Sequence, residues 1–366
     1  MQDAFGRNID YLRISVTDRC NFRCHYCMPE KQKFLPHGDL LDYREISDIA
    51  SRFIDHGIRK IRLTGGEPLV RRDIEILIRA LGQHVHSGRL EELTLTTNGS
   101  RLAQFAPILA ESGIRRINVS MDSLDPARFA KITRGGKIDS VLSGIEAAKS
   151  ANISVRINMV AMKNGNEDDL LPMARYCAEN GHDLALIETM PLGSGVEGRT
   201  DEFIALDEFI APIKDLNNFS SLNHRTSGPA RYWRVEPLGL RLGLITPMSK
   251  NFCNDCNRLR LTTEGKVFMC LGSNLNVDFR AAIRNEGIDA VDRLERLGPT
   301  LQQPAPRDRV VLGEAADSQQ GLAHAGPSCS ARWQAPRWPS SRGRKTGSAS
   351  LQRASAKGQR GQKLQP

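Results

Sequence analysis

A chain of 366 residues, 40% hydrophobic and 25% charged, has enough apolar sequence to bury one large core or two ordinary ones. Its net charge of +9 sits at one end: from Leu297 onward 11 Lys and Arg face 3 Asp and Glu, which leaves the preceding residues nearly neutral at 40 against 39. That distribution excludes a global attraction to DNA or RNA, so no nucleic-acid partner is expected and a polyanion site must be a local group of arginines. No run of about 18 apolar residues is present, and "MQDAFGRNID" lacks the apolar stretch of a secretory signal, so a cytoplasmic protein with no membrane partner is expected.

In chain order, "YLRISVT" reads as the first strand, and a cysteine-bearing loop follows it. "EISDIASRFIDHG" then places Ile46, Ile49, Ala50, Phe53 and Ile54 at helical spacing, with Gly57 positioned to end the helix. "IRLTGG" is the second strand, and "DIEILIRALGQH" repeats the helical pattern through Ile74, Leu77, Ile78 and Leu81. "ELTLTTN", "RINVSMD", "VRINMVAM" and "LALIETM" supply four more strands, again separated by helical sequence. Such units with right-handed crossovers build a parallel sheet. Six of them are too few for the usual eight-fold barrel, so the fold expected over 1–200 is α/β, a partial (βα)6 TIM-like barrel with its chemistry at the C-terminal ends of the strands. Cys177, in "ARYCAENG", reads as a buried small hydrophobe on a helix. Residues 201–296 form a smaller region with short strands in "YWRVEPLGLRLGLI" and further cysteines. Residues 297–366, rich in Pro, Gly, Ser, Gln and Arg, are expected to be a disordered tail, and Cys329 within it is assigned nothing.

Six of the eight cysteines fall in two tight groups, which in a reducing compartment points to metal or redox chemistry. Cys20, Cys24 and Cys27 give C-x3-C-x2-C just after the first strand. Structural zinc wants four ligands, which His25 or a distant residue would have to complete. A 4Fe-4S cube held by three thiolates keeps one iron free for another ligand. Cys253, Cys256 and Cys270 repeat the count of three, where a zinc ribbon would pair two C-x2-C knuckles. Arg258-Leu259-Arg260-Leu261 follows directly; as an extended segment it puts both guanidinium groups on one face, suited to polyphosphate oxygens. Without the cysteines beside them, these two arginines would read as an exposed strand.

The first triplet, with an aromatic residue before its last cysteine and "TGGEP" at 64–68 one strand later, resembles the radical S-adenosylmethionine (SAM) superfamily. In that superfamily the free iron binds the methionine part of SAM, whose cleavage gives a 5'-deoxyadenosyl radical. Gly65 and Gly66 would let backbone approach the ligand closely. Both cysteine groups together, with "LRISVTDRCNFRC", "IRLTGGEPLVRRD", "LTTNG", "INVSMDSL" and "CNRLRLT", resemble the GTP 3',8-cyclase family, which opens molybdenum cofactor biosynthesis; the likeness covers about residues 5–290.

That resemblance implies two 4Fe-4S clusters, on Cys20, Cys24 and Cys27 and on Cys253, Cys256 and Cys270. It implies SAM held by Tyr26, Gly66, Ser120 and Met190, and GTP met by Arg13, Arg62, Thr96, Arg156, Arg258 and Arg260. The implied reaction removes hydrogen from C3' of the ribose, and that carbon attacks C8 of the same guanine. An electron donor and a downstream cyclic pyranopterin monophosphate synthase are the implied partners, and a homodimer is compatible with the family. No protein general base is needed in the first step, which agrees with the lack of a His and carboxylate pair in the motifs.

Two positions depart from the family pattern. Arg156 stands where a lysine is usual, and Ala185 where many relatives carry an arginine. Family members also end in Gly-Gly on a tail that reaches the active site, whereas this chain reads "RGQKLQP". A reading-frame change that replaced the native end is the expectation here. The alternatives are a cluster protein that has lost turnover and a radical SAM enzyme with an auxiliary cluster that acts on a peptide.

Overall fold

The computed structural model describes residues 6–190 and, within 201–292, all but Asn217, Arg225, Ser227, Pro237, Asn251, Cys253, Asn254 and 271–274. The expectations placed on Cys253, Cys329 and the 297–366 tail therefore lie outside the described residues. Six strands alternate with helices as the sequence pattern requires. They are β1 (Tyr11–Ser15), β2 (Lys60–Thr64), β3 (Glu92–Thr97), β4 (Arg116–Ser120), β5 (Ser154–Ala161) and β6 (Asp183–Glu188). Between them run α1 (Tyr43–Asp55), α2 (Ile74–His86), α3 (Leu102–Glu111), the pair α4 (Pro126–Thr133) and α5 (Ile138–Ser150), and α6 (Leu170–Asn180).

Helix α1 shows why these segments fold where they do. Asp42 and Glu45 form a reciprocal capping box, which satisfies two backbone donors at the helix start. Ile46, Ile49, Ala50, Phe53 and Ile54 form its buried stripe, as the spacing predicts. In α2 the buried residues are Ile74, Leu77, Ile78, Leu81 and Gly82, and Cys177 of α6 is fully buried among aliphatic neighbours. Each such aliphatic side chain contributes about 1.5–3 kcal/mol by leaving water.

β1 to β6 pair in sequential order and in parallel. The register makes one face of the sheet apolar. Leu12, Ile14, Ile61, Leu63, Leu93, Leu95, Ile117, Val119, Ile157 and Leu186 are all buried in the core under the helices. The alternate residues therefore share the opposite face, and that face is polar.

The strands of the 201–292 region extend this sheet at both of its edges. β9 (Leu240–Ile245) pairs in parallel with β6, and β10 (Arg258–Leu261) pairs in parallel with β1. β8 (Arg231–Glu236) and β7 (Asn218–Leu222) continue antiparallel beyond β9; β11 (Lys266–Phe268) and β12 (Asn276–Asp278) do the same beyond β10. The result is one twelve-stranded sheet, with the six βα units of a partial barrel at its centre. Two short helices, α7 (Leu206–Phe209) and α8 (Ala211–Leu216), precede β7, and α9 (Phe279–Glu286) follows β12. α9 is fastened to α1: Phe279 meets Phe53 edge-on at 5.6 Å, and Arg284 grips Glu45 at 2.7 and 3.0 Å.

Candidate functional site

The loop after β1 is held in place from several sides. Cys20 to Met28 turn tightly, with the amides of Cys27 and Met28 donating to the Cys24 carbonyl at 2.9 and 3.1 Å. The Phe22 amide and the Asn98 side chain both donate to the Cys20 sulfur, at 3.4 and 3.8 Å. Burial pushes the Cys20 thiol up to about 11, with Glu67 and Cys27 adding to the effect. Cys24 is also raised, by burial first and then by Asp122, Cys27 and Cys20. Cys20 and Cys24, raised by burial and by their thiol neighbours in this loop, are groups that a cation would stabilise as thiolates. Among the described residues no three His, Cys, Asp or Glu side chains converge as a single bare ion requires. A cube, by contrast, offers each thiolate its own iron. Both nitrogens of His25 are engaged elsewhere, facing the Ile132 carbonyl at 3.3 Å and Glu202 at 3.2 Å. The residues present fit a three-thiolate cube better than a zinc ion completed by His25.

The glycines after β2 serve this loop directly. Gly65, at φ +152°, would bring a Cβ to 2.5 Å from the Thr17 carbonyl, and a Cβ on Gly66 would collide with the Arg19 carbonyl. Their absence of side chain lets Gly66 donate to Thr17 at 2.7 Å and Glu67 donate to Arg19 at 2.8 Å. Close approach of backbone is thus required, as the sequence suggests, and the chain approached is the cysteine loop's own root. Glu67, fully buried, then ties β2 to the end of β3 by accepting from Thr97 Oγ1, the Asn98 amide and the Leu69 amide at 2.7, 2.6 and 3.0 Å. Burial raises its carboxyl to about 7 against these three donors.

Across the same C-terminal end, Tyr26 donates to Asp122, just past β4, at 2.7 Å, and the Val160 amide donates to the other carboxylate oxygen at 2.8 Å. Burial holds Asp122 up to about 6. Ser120 ends β4 beside Asn158, and Met190 stands two residues past β6, both half-buried. Tyr26, Gly66, Ser120 and Met190 therefore all belong to the end of the sheet that carries Cys20, Cys24 and Cys27.

The polar face below them carries the arginines. Arg260, Arg13 and Arg62 are register partners across β10, β1 and β2, with Arg258 two residues earlier on the same face. Thr96 and Arg156 lie on this face from β3 and β5, both paired with Asn118 of β4. Burial, followed by repulsion from Arg260, Arg62 and Arg258, lowers Arg13 to about 9. Burial also lowers Arg156, to about 10, with Tyr232 opposing and Arg116 and Arg62 adding to the fall. The acids Glu92 and Asp183 lie at the N-terminal ends of their strands and are taken by Arg116 and Arg241 at 2.5 and 2.8 Å. Among the described residues, buried nitrogens of Arg62, Arg156 and Arg260 have no hydrogen-bond partner, nor does the Asn118 side-chain oxygen. Converging guanidinium groups with open donors, and with no acid ion-paired to them among the described residues, are suited to a polyanion, which would offset their repulsion and satisfy their donors.

Cys256 and Cys270, the described members of the second cysteine group, lie at the other end of this face. Cys256 precedes β10, which starts level with the start of β1, and antiparallel β11 returns the chain there before Cys270. Burial tends to raise the Cys256 thiol, but Arg258 and Arg260 outweigh it and hold the thiol below its ordinary value. Cys256 and Cys270 in turn act on Arg260. The expectation of a site at the C-terminal ends alone is thereby corrected: the first triplet is at that end, Cys256 and Cys270 are at the opposite end, and the arginines lie between. β1, with five residues, spans about 17 Å of that interval.

Sequence reasoning put Arg258 and Arg260 on one face and drew Arg13, Arg62, Thr96 and Arg156 from the family resemblance; the strand registers bring all six to one face, while Asp122, Glu67 and Tyr232 were not singled out. Glu67 and Asp122 stand inside the motifs "TGGEP" and "INVSMDSL", which were the available signal. Tyr232 left no such signal, because its partner Arg156 is 76 residues away.

A model described as the Radical SAM superfamily matches residues 14–177, and one described as Molybdenum Cofactor Synthesis C matches residues 182–303. The partial barrel with a three-thiol loop after its first strand, together with the first match, defines a radical SAM protein. The fold also resembles SuiB of Streptococcus suis bound to precursor peptide SuiA, with a TM-score of 0.57 at 16% identity over 75% of this chain and 62% of that one. A GTP 3',8-cyclase of Rhizobium meliloti (strain 1021) is 52% identical over 290 residues, 79% of this chain and 83% of its own length. Another, of Paracoccus denitrificans (strain Pd 1222), is 52% identical over 307 residues, 84% of this chain and 89% of its own. The chain belongs to the GTP 3',8-cyclase family.

Proposed function

We propose that this chain is a radical SAM lyase that converts GTP to (8S)-3',8-cyclo-7,8-dihydroguanosine 5'-triphosphate in the cytoplasm, the first step of molybdenum cofactor biosynthesis. The observation that carries the reading is the arginine-lined face between the two cysteine groups. One group alone would serve radical formation on many substrates; buried guanidinium donors beside the second select a polyphosphate.

When bound, a 4Fe-4S cluster with SAM supplies one-electron cleavage of the sulfonium and so the adenosyl radical. Cys20, Cys24 and Cys27 would hold that cluster, and Cys253, Cys256 and Cys270 a second one. Tyr26, Gly66, Ser120 and Met190 hold SAM; Tyr26 is fixed for this by Asp122. Arg13, Arg62, Arg156, Arg258 and Arg260, with Thr96, would bind GTP along the polar face and orient its ribose and guanine for ring closure between C3' and C8. Burial of the same face keeps water and stray hydrogen donors from the radical. An electron donor is required, and the product passes to a cyclic pyranopterin monophosphate synthase.

The test is anaerobic reconstitution of the full chain, with iron counted and SAM, a strong reductant and GTP added. Two cubes give about eight iron atoms per chain, SAM cleavage and a GTP-derived cyclic product. SAM cleavage with GTP recovered intact overturns the cyclase reading of this chain. Iron for one cube only overturns the assignment of Cys253, Cys256 and Cys270.

A further inference from the structure

Arg156 of β5 is almost wholly buried on the polar face; among the described residues no carboxylate forms an ion pair with it, and its register partner Asp183, which supports its charge from nearby, is itself held by Arg241. One terminal nitrogen donates to the Tyr232 hydroxyl, the guanidinium stands 5.8 Å from the Tyr232 ring centre, and Nε and the other terminal nitrogen have no hydrogen-bond partner among the described residues. Tyr232 belongs to β8, three strands away in the order β5-β6-β9-β8. The two meet because the positions between them are small. Asn158, Ala185, Gly243 and Tyr232 form one row across those strands. A Cβ on Gly243 would stand 3.1 Å from Tyr232 Cε1. Gly243 and Ala185 thus leave the floor over which the tyrosine ring reaches the guanidinium.

Tyr232 is itself fixed. It is 2% exposed, His224 meets its ring edge-on at 4.7 Å, and its hydroxyl lies 3.1 Å from Thr226 Oγ1. A guanidinium only donates, so the phenol oxygen accepts from Arg156, and it shares a second hydrogen bond with Thr226 in which either hydroxyl can donate. The chemistry of this choice is informative. A carboxylate at the same place would neutralise Arg156 and compete with any anion, whereas a neutral phenol orients the guanidinium and leaves its charge available.

We propose that Tyr232 is a positioning residue for substrate: by holding one nitrogen of Arg156 it leaves the remaining two on the polar face as a fork for a phosphate of GTP. The inference deepens the cyclase reading and rests on it. Thr226 sets the phenol, Gly243 and Ala185 make room for it, and Tyr232 acts only through Arg156.

The experiment compares wild type, Tyr232→Phe, Arg156→Ala and the double variant as full chains reconstituted anaerobically, with equilibrium binding of GTP and of SAM and steady-state turnover of GTP. Tyr232→Phe keeps the ring over Gly243 and is expected to weaken GTP binding about tenfold, the worth of one hydrogen bond to a charged group. KM for GTP rises by a similar factor, kcat stays within about twofold, and SAM affinity is unchanged. In the Arg156→Ala background the second substitution has no further effect, as a residue acting through Arg156 requires. Unchanged GTP affinity in Tyr232→Phe, an equal loss with Arg156 already removed, or a parallel loss of SAM affinity each overturns the proposal. Wild type that binds SAM and not GTP removes the cyclase reading itself, and this proposal with it.

Discussion

Gly66 and Gly38 look alike in the sequence and differ sharply in what surrounds them. A methyl group on Gly66 meets the carbonyls of Asp18 and Arg19, whereas one on Gly38 meets nothing within 4 Å. Gly66→Ala is therefore expected to cost about 3 kcal/mol and to lower iron uptake by the first triplet, while Gly38→Ala stays within about 0.5 kcal/mol. Urea denaturation and an iron count on both variants check this. The thiols show a similar contrast. Burial pushes Cys20 up to about 11, while Arg258 and Arg260 hold Cys256 below the ordinary thiol value against its own burial. In iron-free, reduced protein at pH 8, iodoacetamide should modify Cys256 faster than Cys20. Arg258→Ala with Arg260→Ala should abolish the difference, measured as alkylation rates by peptide mass.

Among the elements, the turn between β2 and β3 depends on Glu67. Its carboxyl, about 7 when folded because of burial, returns to about 4.5 when the chain unfolds. The folded state therefore keeps a proton that the unfolded state has released. The stability this group contributes is greatest below about pH 4.5, falls as pH rises to about 7 and is level above, by at most about 1.4 kcal/mol per pH unit. Glu67→Gln should remove that slope between pH 5 and 8. It should also cost about 1–3 kcal/mol, because an amide cannot accept from Thr97, Asn98 and Leu69 together without turning a donor toward one of them. Denaturation of the iron-free chain at the two pH values gives both numbers.

For the molecule as a whole, the region that carries Cys256 and Cys270 completes the sheet. β10 lies along β1, and α9 packs on α1 through Phe279 and Arg284. A chain cut after Lys250 loses β10 to β12 and α9, and it exposes the unpaired edge of β1 beside a bared patch around Phe53. It is expected to aggregate, while a chain cut after Arg296 keeps the cooperative melting of the full protein; light scattering and circular dichroism separate the two. Among the described residues no helix is long and apolar enough to cross a membrane.

The sequence by itself determined the six βα units, the buried stripes of α1 and α2, and the residue types of the site. Period-2 and period-3.6 patterns are local, and the cysteine spacings and "TGGEP" lie within a few residues of one another. The alternation in "RLRL" even put Arg258 and Arg260 on one face before any partner strand was known. Only the tertiary structure decided that β9 and β10 join opposite edges of one sheet, that Cys256 and Cys270 stand at the end away from Cys20, and that Tyr232 reaches Arg156. Strand order and register are pairings between residues far apart in the chain, set by which edges remain open once the barrel strands have paired. No local pattern carries that information, because the same alternation suits either edge until the rest of the chain has folded.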